Sequence, residues 1–169
     1  MTLTAHHPTP LAHDAPVLID DHLVLPAASV TTASMAFLIR HTSGFACVAL
    51  PRDRLRALRI PLLLADDPDR PPYAVSVDAA AGITTGISAH DRALTARVLA
   101  TPRSDWTDLI RPGHVVPVLA RPGSTGIPEA AVTLCRRTGL PPAAVLAAVA
   151  DPTDPALAHL PRLSAADLC

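Results

Sequence analysis

The sequence predicts one layered α/β domain in which a mixed sheet is flanked by helices. Three observations predict it: short apolar runs alternate with helix-length segments, turn residues separate them, and no repeat or linker divides the chain. At 169 residues and 49% apolar content the chain can bury one sizeable core. Residues 1–15 mix His, Pro and Thr without periodicity and are expected to form a poorly ordered lead-in, which leaves 16–169 as the domain. The lead-in histidines His6, His7 and His13 are read as solvated side chains.

The elements follow in order. Val17-Leu18-Ile19 reads as a buried strand that stops at Asp20-Asp21. Thr32 caps a helix running from Ala33 to Arg40, and Gly44 marks its close. Phe45 to Leu50 is the next strand, and Pro51 opens a short Arg-rich amphipathic helix that reaches Leu58. Asp66, Asp67, Asp69 and three prolines make Ala65 to Pro72 a loop. Tyr73 to Asp78 alternates as a strand, and Ser88 caps a helix whose third position, Asp91, gives it a start like a capping box. Val115 to Leu119 is a strand, and a helix from Pro128 to Arg137 ends at Gly139. The apolar run Val145 to Val149 fits a strand or a helix.

Composition narrows the function classes. A net charge of −1 with no block of like charge excludes the basic footprint that nucleic acid or an anionic membrane requires. No run is long enough to span a bilayer and no signal pattern opens the chain, so the expected location is the cytoplasm. Cys47, Cys135 and Cys169 lie far apart without metal-type spacing and read as buried or terminal thiols. The chain holds no lysine, which excludes Schiff-base chemistry, and Glu129 is its only glutamate.

Three clusters carry chemistry. Arg40-His41-Thr42-Ser43-Gly44 is an anion-binding helix end or a C-cap whose cations suit the helix dipole. Thr84-Thr85-Gly86-Ile87-Ser88 opens a helix, where free N–H groups and hydroxyls can hold phosphate or carboxylate, although capping alone accounts for Ser88. Arg111-Pro112-Gly113-His114 places a histidine beside a rigid turn, suited to general acid–base work near neutral pH or to a structural role.

Taken in sequence, Met35 to Gly44, Val75-Ser76-Val77-Asp78, Thr84 to Ala89 with Asp91-Arg92, Asp108-Leu109 with Arg111 to Val115, and Glu129-Ala130-Ala131-Val132 resemble the 3,4-dihydroxy-2-butanone 4-phosphate synthase family. The resemblance runs from Val17 to Leu163. It implies that family's homodimeric α/β fold, ribulose 5-phosphate as substrate, a divalent metal, usually magnesium, and the four-carbon precursor of riboflavin as product. It also implies catalytic importance for His114. Two departures stand out against the pattern. The family's acidic metal-binding loop is missing where Asp20-Asp21 runs straight into His22-Leu23, and Ile127 stands where the family has a metal-binding histidine. A further family glutamate corresponds to Ala148.

The departures lead to the expectation of a repurposed, metal-independent enzyme of lyase, isomerase or cyclase type, with no cofactor, acting on a carbonyl compound. Its pocket is expected to be apolar and bordered by Ile127, Ala148, Leu23 and Leu25. His114 is the expected acid or base, assisted by Asp21 and His22 beside Asp20. Thr84, Thr85, Ser88, His41, Glu129 and Ile127 are the expected contacts to a small-molecule substrate, and the expected partner is a second copy of the chain. The alternatives are a non-catalytic binding or regulatory relative, and retained synthase activity in riboflavin biosynthesis.

Overall fold

β1 (Val17–Ile19) turns back within two residues, Asp20 and Asp21, into β2 (His22–Pro26), so that Ile19 pairs with His22. The computed structural model describes residues 15–169 apart from Asp66 and Pro68, and the expectations for the lead-in and its histidines lie outside the described residues. The sequence suggests no element over the β2 stretch, only a helper role for His22 and a pocket border at Leu23 and Leu25. It is a strand because Leu23, Val24 and Leu25 are all buried, and its antiparallel pairing with β6 (Ala144–Ala148) covers its other edge. That pairing also decides the ambiguous run before Val149: β6 lies between β2 and β3 (Cys47–Pro51), antiparallel to both.

α1 (Thr32–His41) begins one residue earlier than the sequence suggested. Thr31 is its N-cap and exchanges a capping box with Ser34, which satisfies two helix-end groups at once. Pro51 closes β3 and caps α2 (Arg52–Ala57) rather than opening the helix. The strand expected over Tyr73 to Asp78 shrinks to β4 (Val77–Ala79). Tyr73 and Ala74 make only single bridges, to Val118 and Leu62. Ala74 donates to the Pro117 carbonyl, but Pro117 has no N–H to return, so the ladder cannot continue there. α3 (Ala89–Ala100), β5 (Leu109–Ala120), α4 (Ile127–Arg137), β7 (Arg162–Leu163) and α5 (Ala165–Leu168) complete the chain.

The seven strands form one mixed sheet in the order β4-β5-β3-β6-β2-β1-β7. β3 runs parallel to β5 and β1 parallel to β7, while the other pairs are antiparallel. Alternation along the strands divides the core in two. Leu18, Leu23, Leu25, Val48, Leu50 and Val145 meet α1 and α3 on one face. Val17, Ile19, Val24, Cys47, Ala49 and Val118 meet α4 and α5 on the other. Covering both faces with helices is the layered α/β arrangement that the sequence predicts.

The division also fixes the cysteines. Cys47 and Cys135 are buried on the α4 side, and burial pushes their thiols up to about 12 and about 11. Cys169 is exposed. A thiol-disulfide reagent at neutral pH is expected to titrate one thiol in the native protein and three after unfolding; rapid reaction of all three would mean that the α4 face opens under native conditions.

Candidate active site

β4 and β5 lose register between Val77 and Asp78: Val77 pairs with Val115, whereas Asp78 pairs with Ile110. The residues between, Arg111-Pro112-Gly113-His114, bulge out of the ladder, with the Arg111–Pro112 peptide cis. A bulge re-aims the side chain it carries. Here the side chain is His114, and Asp78 fixes it with both oxygens. Asp78 Oδ1 accepts the His114 backbone N–H at 2.9 Å, and Oδ2 pairs with Nδ1 at 2.7 Å. Asp78 is buried, whereas the His114 side chain is 40% exposed. With a carboxylate as partner, Nδ1 carries the proton and Nε2 is left as the acceptor on the open side.

Gly113 makes the bulge possible. A Cβ there would overlap the Val77 carbonyl and the Asp78 amide, so the strand cannot pass with a side chain in place. The turn before α3 closes over the pair in the same way. Gly86 has a φ of 85°, and a Cβ on it would overlap the Asp78 carboxylate and stand 2.6 Å from His114 Nδ1. Ile87, the residue after Gly86, is 58% exposed.

Asp91 holds that turn. Its Oδ2 accepts from the Thr84 amide at 3.2 Å, the Thr84 hydroxyl at 2.9 Å and the Gly86 amide at 3.0 Å. The expected capping box is therefore half present: Ser88 Oγ accepts the Asp91 amide, but the Asp91 carboxylate reaches outward to the turn. Burial alone would raise the Asp91 pKa, yet the bonds from Thr84 and Gly86 outweigh it and hold the carboxyl below the ordinary range.

The structure brings Thr84, Thr85 and Ser88 to the turn beside His114 and places the other expected residues elsewhere. His22 and Asp21 belong to the β1–β2 hairpin, three strand spacings from β5 or about 14 Å across the sheet. They pair with each other, His22 Nδ1 to Asp21 Oδ1, at 2.7 Å. His41 closes α1, where its Nδ1 meets Asp154 Oδ2 at 2.5 Å and its ring packs on Phe37. That contact, and Thr42 Oγ donating to the Leu38 carbonyl, give the first cluster a structural use. Glu129 accepts the Arg121 amide at 2.6 Å, and Arg121 lies seven residues along β5 and beyond from His114, about 23 Å. Ile127 packs against the α4-side core.

The expected apolar pocket is not formed. Leu23 and Leu25 are fully buried on the α1 and α3 face, and Ile127 packs on the opposite face, so one cavity cannot be lined by all of them. Asp78 was not singled out by the sequence reading as a site residue. The signal was present: an acid ends the alternating run Val75-Ser76-Val77, at a position whose neighbours are buried.

The resemblance implied a divalent cation. Among the described residues no three His, Cys, Asp or Glu side chains gather as ligands. A hard cation takes about six oxygen ligands, and the hairpin offers two carboxylates, Asp21 paired with His22 and Asp20 accepting the Ala165 amide. The residues present do not fit the group.

A profile of the family described as 3,4-dihydroxy-2-butanone 4-phosphate synthase matches residues 18–166. The chain belongs to that family. The 3,4-dihydroxy-2-butanone 4-phosphate synthase of Schizosaccharomyces pombe is 50% identical over 127 residues, covering 71% of this chain and 62% of the relative. A probable bifunctional riboflavin biosynthesis protein of Oryza sativa, described as chloroplastic, is 41% identical over 162 residues, covering 87% of this chain and 30% of the relative. The chain thus spans less than two thirds of the length of these relatives. A solved 3,4-dihydroxy-2-butanone 4-phosphate synthase in complex with two magnesium ions superposes with a TM-score of 0.79 at 36% identity, covering 91% of this chain and 88% of that one. Identities of this size to proteins of the synthase name overturn the expectation of a repurposed, metal-independent enzyme for an apolar carbonyl compound.

Two outcomes follow from the geometry. Gly113→Ala is expected to destabilise the fold by about 2 kcal/mol or more in denaturant titration, and an unchanged midpoint would mean that the bulge relaxes freely. Asp91 has a folded pKa below its unfolded value, so its anchoring contributes stability above about pH 4 that is lost as pH falls through the folded value. The Asp91 side-chain carboxyl carbon shift is therefore expected to stay constant from pH 7 to about pH 4 and to move only below it; a titration midpoint of that carbon nearer pH 5 or 6 would contradict the anchoring.

Proposed function

We propose that this chain carries out the reaction of its synthase relatives, converting ribulose 5-phosphate to formate and a four-carbon ketose phosphate. The reading is supported by the identity to proteins of that name, and the observation that carries it within the chain is the His114–Asp78 pair under the Thr84–Gly86 turn. His114 Nε2 takes the proton from the carbon beside the substrate carbonyl. Asp78 holds the Nδ1 proton and the ring orientation, and so favours the imidazolium that forms. The start of α3, with the Thr85 and Ser88 hydroxyls and the first-turn N–H groups, receives the phosphate. Asp21, His22 and Glu129 stand too far away to take part in that step within one chain, and His41 is engaged with Asp154. No step is routed through a cation, because the described residues do not form a site for one.

The surroundings of this reading are a homodimer, for which the exposed side chains of Phe45 and Ile87 offer apolar surface, and a cytoplasmic location. No helix among the described residues is long and apolar enough to cross a membrane.

A second reading, a relative that binds the sugar phosphate without turning it over, is favoured by the two-residue Asp20–Asp21 turn and by Ile127. One experiment separates the two. The protein is incubated with ribulose 5-phosphate, with and without magnesium, and formate is measured beside calorimetric binding. Formate release that drops at least about 100-fold in His114→Ala supports the first reading. Saturable binding without formate supports the second, and the absence of both overturns the pair.

A further inference from the structure

Gly86 lies so close to the Asp78–His114 bond that no side chain fits between them, and three donors on a single oxygen of Asp91 hold the turn that carries it. We propose that Asp91 is a positioning residue for His114, acting through Gly86 to keep water away from the Nδ1–Oδ2 hydrogen bond and so to fix which imidazole nitrogen faces the substrate.

The residues support a line of contact from Asp91 to the base. Asp91 is buried, and its other oxygen, Oδ1, has no hydrogen-bond partner, so a carboxylate is kept there at a desolvation cost that helix capping does not require. An N3 acid serving only the cap would return its carboxylate to the N-cap amide. This one instead spends its acceptor capacity on Thr84 and Gly86, outside the helix. Bonds to a carboxylate are stronger than neutral ones, which suits a turn that must hold a glycine at positive φ against a neighbouring strand. Releasing them lets the Gly86 backbone lift, and solvent then reaches Nδ1. The imidazole can rotate, and Nε2 no longer has a fixed direction.

The consequence for turnover rests on the proposed synthase reading, but the positioning itself is read without substrate. In proton NMR, the hydrogen-bonded Nδ1 proton of His114 is assigned by its loss in His114→Ala, which separates it from those of His22 and His41. Its exchange with water is expected to quicken about tenfold or more in Asp91→Ala and by an intermediate amount in Asp91→Asn, which keeps an oxygen for the three donors. Ser164→Ala, which removes the α5 cap on the opposite face of the sheet, lowers the melting temperature and leaves this proton unchanged, so loss of stability alone does not mimic the effect. Should Asp91→Ala fail to fold, Thr84→Val deletes one of the three bonds and is expected to quicken the exchange by a smaller factor. If the wild type releases formate, Asp91→Ala is expected to lower kcat. An unchanged exchange rate in both folded Asp91 and Thr84 variants overturns the proposal, whether or not the wild type turns over; a quickened rate in a protein without formate release upholds the positioning and removes only the synthase reading.

Discussion

The two bonds from Asp78 to His114 fix the point on which the site depends. A buried carboxylate has to be matched by donors, and both of these donors belong to one residue of the neighbouring strand. The backbone bond sets where β5 rejoins β4 after the bulge, and the side-chain bond sets where the ring points. Register and chemistry are thus coupled. Ser76 adds to the same constraint by accepting the Gly113 amide at 3.2 Å, so the alternating run that builds the edge of the sheet also orients the bulge. Gly113 and Gly86 are the complementary half: they let the β4 backbone and the α3 turn approach the pair from two sides.

The two-faced sheet explains why residues that are close in a linear reading separate in space. His22 and Leu23 are neighbours in sequence but face opposite layers, as strand alternation demands. The hairpin that carries Asp21 lies on the far side of β3 and β6 from β5, and the α4 segment with Glu129 meets β5 at its C-terminal end. Only the α3 turn reaches His114, because α3 packs on β4 and β5 and begins at their open end.

Much of the fold was legible because it is written in local patterns. Thr31 or Thr32 before an apolar helix, Ser88 before α3, and Gly139 after α4 act through bonds within a few residues. The strands that were misjudged depend on distant partners. β2 is short and was known only by what it lacked, and its identity comes from pairing with β6, more than a hundred residues away. Tyr73 to Val75 alternates correctly but faces Pro117, which cannot complete the ladder. In the site, His114 and the Thr84–Ser88 turn were legible because a histidine beside Pro-Gly and hydroxyls at a helix start carry chemistry of their own. Asp78 stood in the family match, but its pairing with His114 became visible only through the register change, and Asp91 looked like an ordinary cap because its partners precede the helix.

The two-residue turn between β1 and β2 is closed by the fold's own bonds. The β1–β2 hairpin closes with Ile19 opposite His22, and the Asp21 carbonyl accepts the Val149 amide, so the sheet is complete without further residues. Asp20 sits at a φ of 49° and accepts the Ala165 amide, tying the turn to α5. Both acids that remain there therefore have local structural partners, and neither is held out over the bulge. Membership in the family follows from the ordered scaffold, whereas the reaction depends on what a single histidine, its aspartate and one turn can do with a phosphorylated ketose.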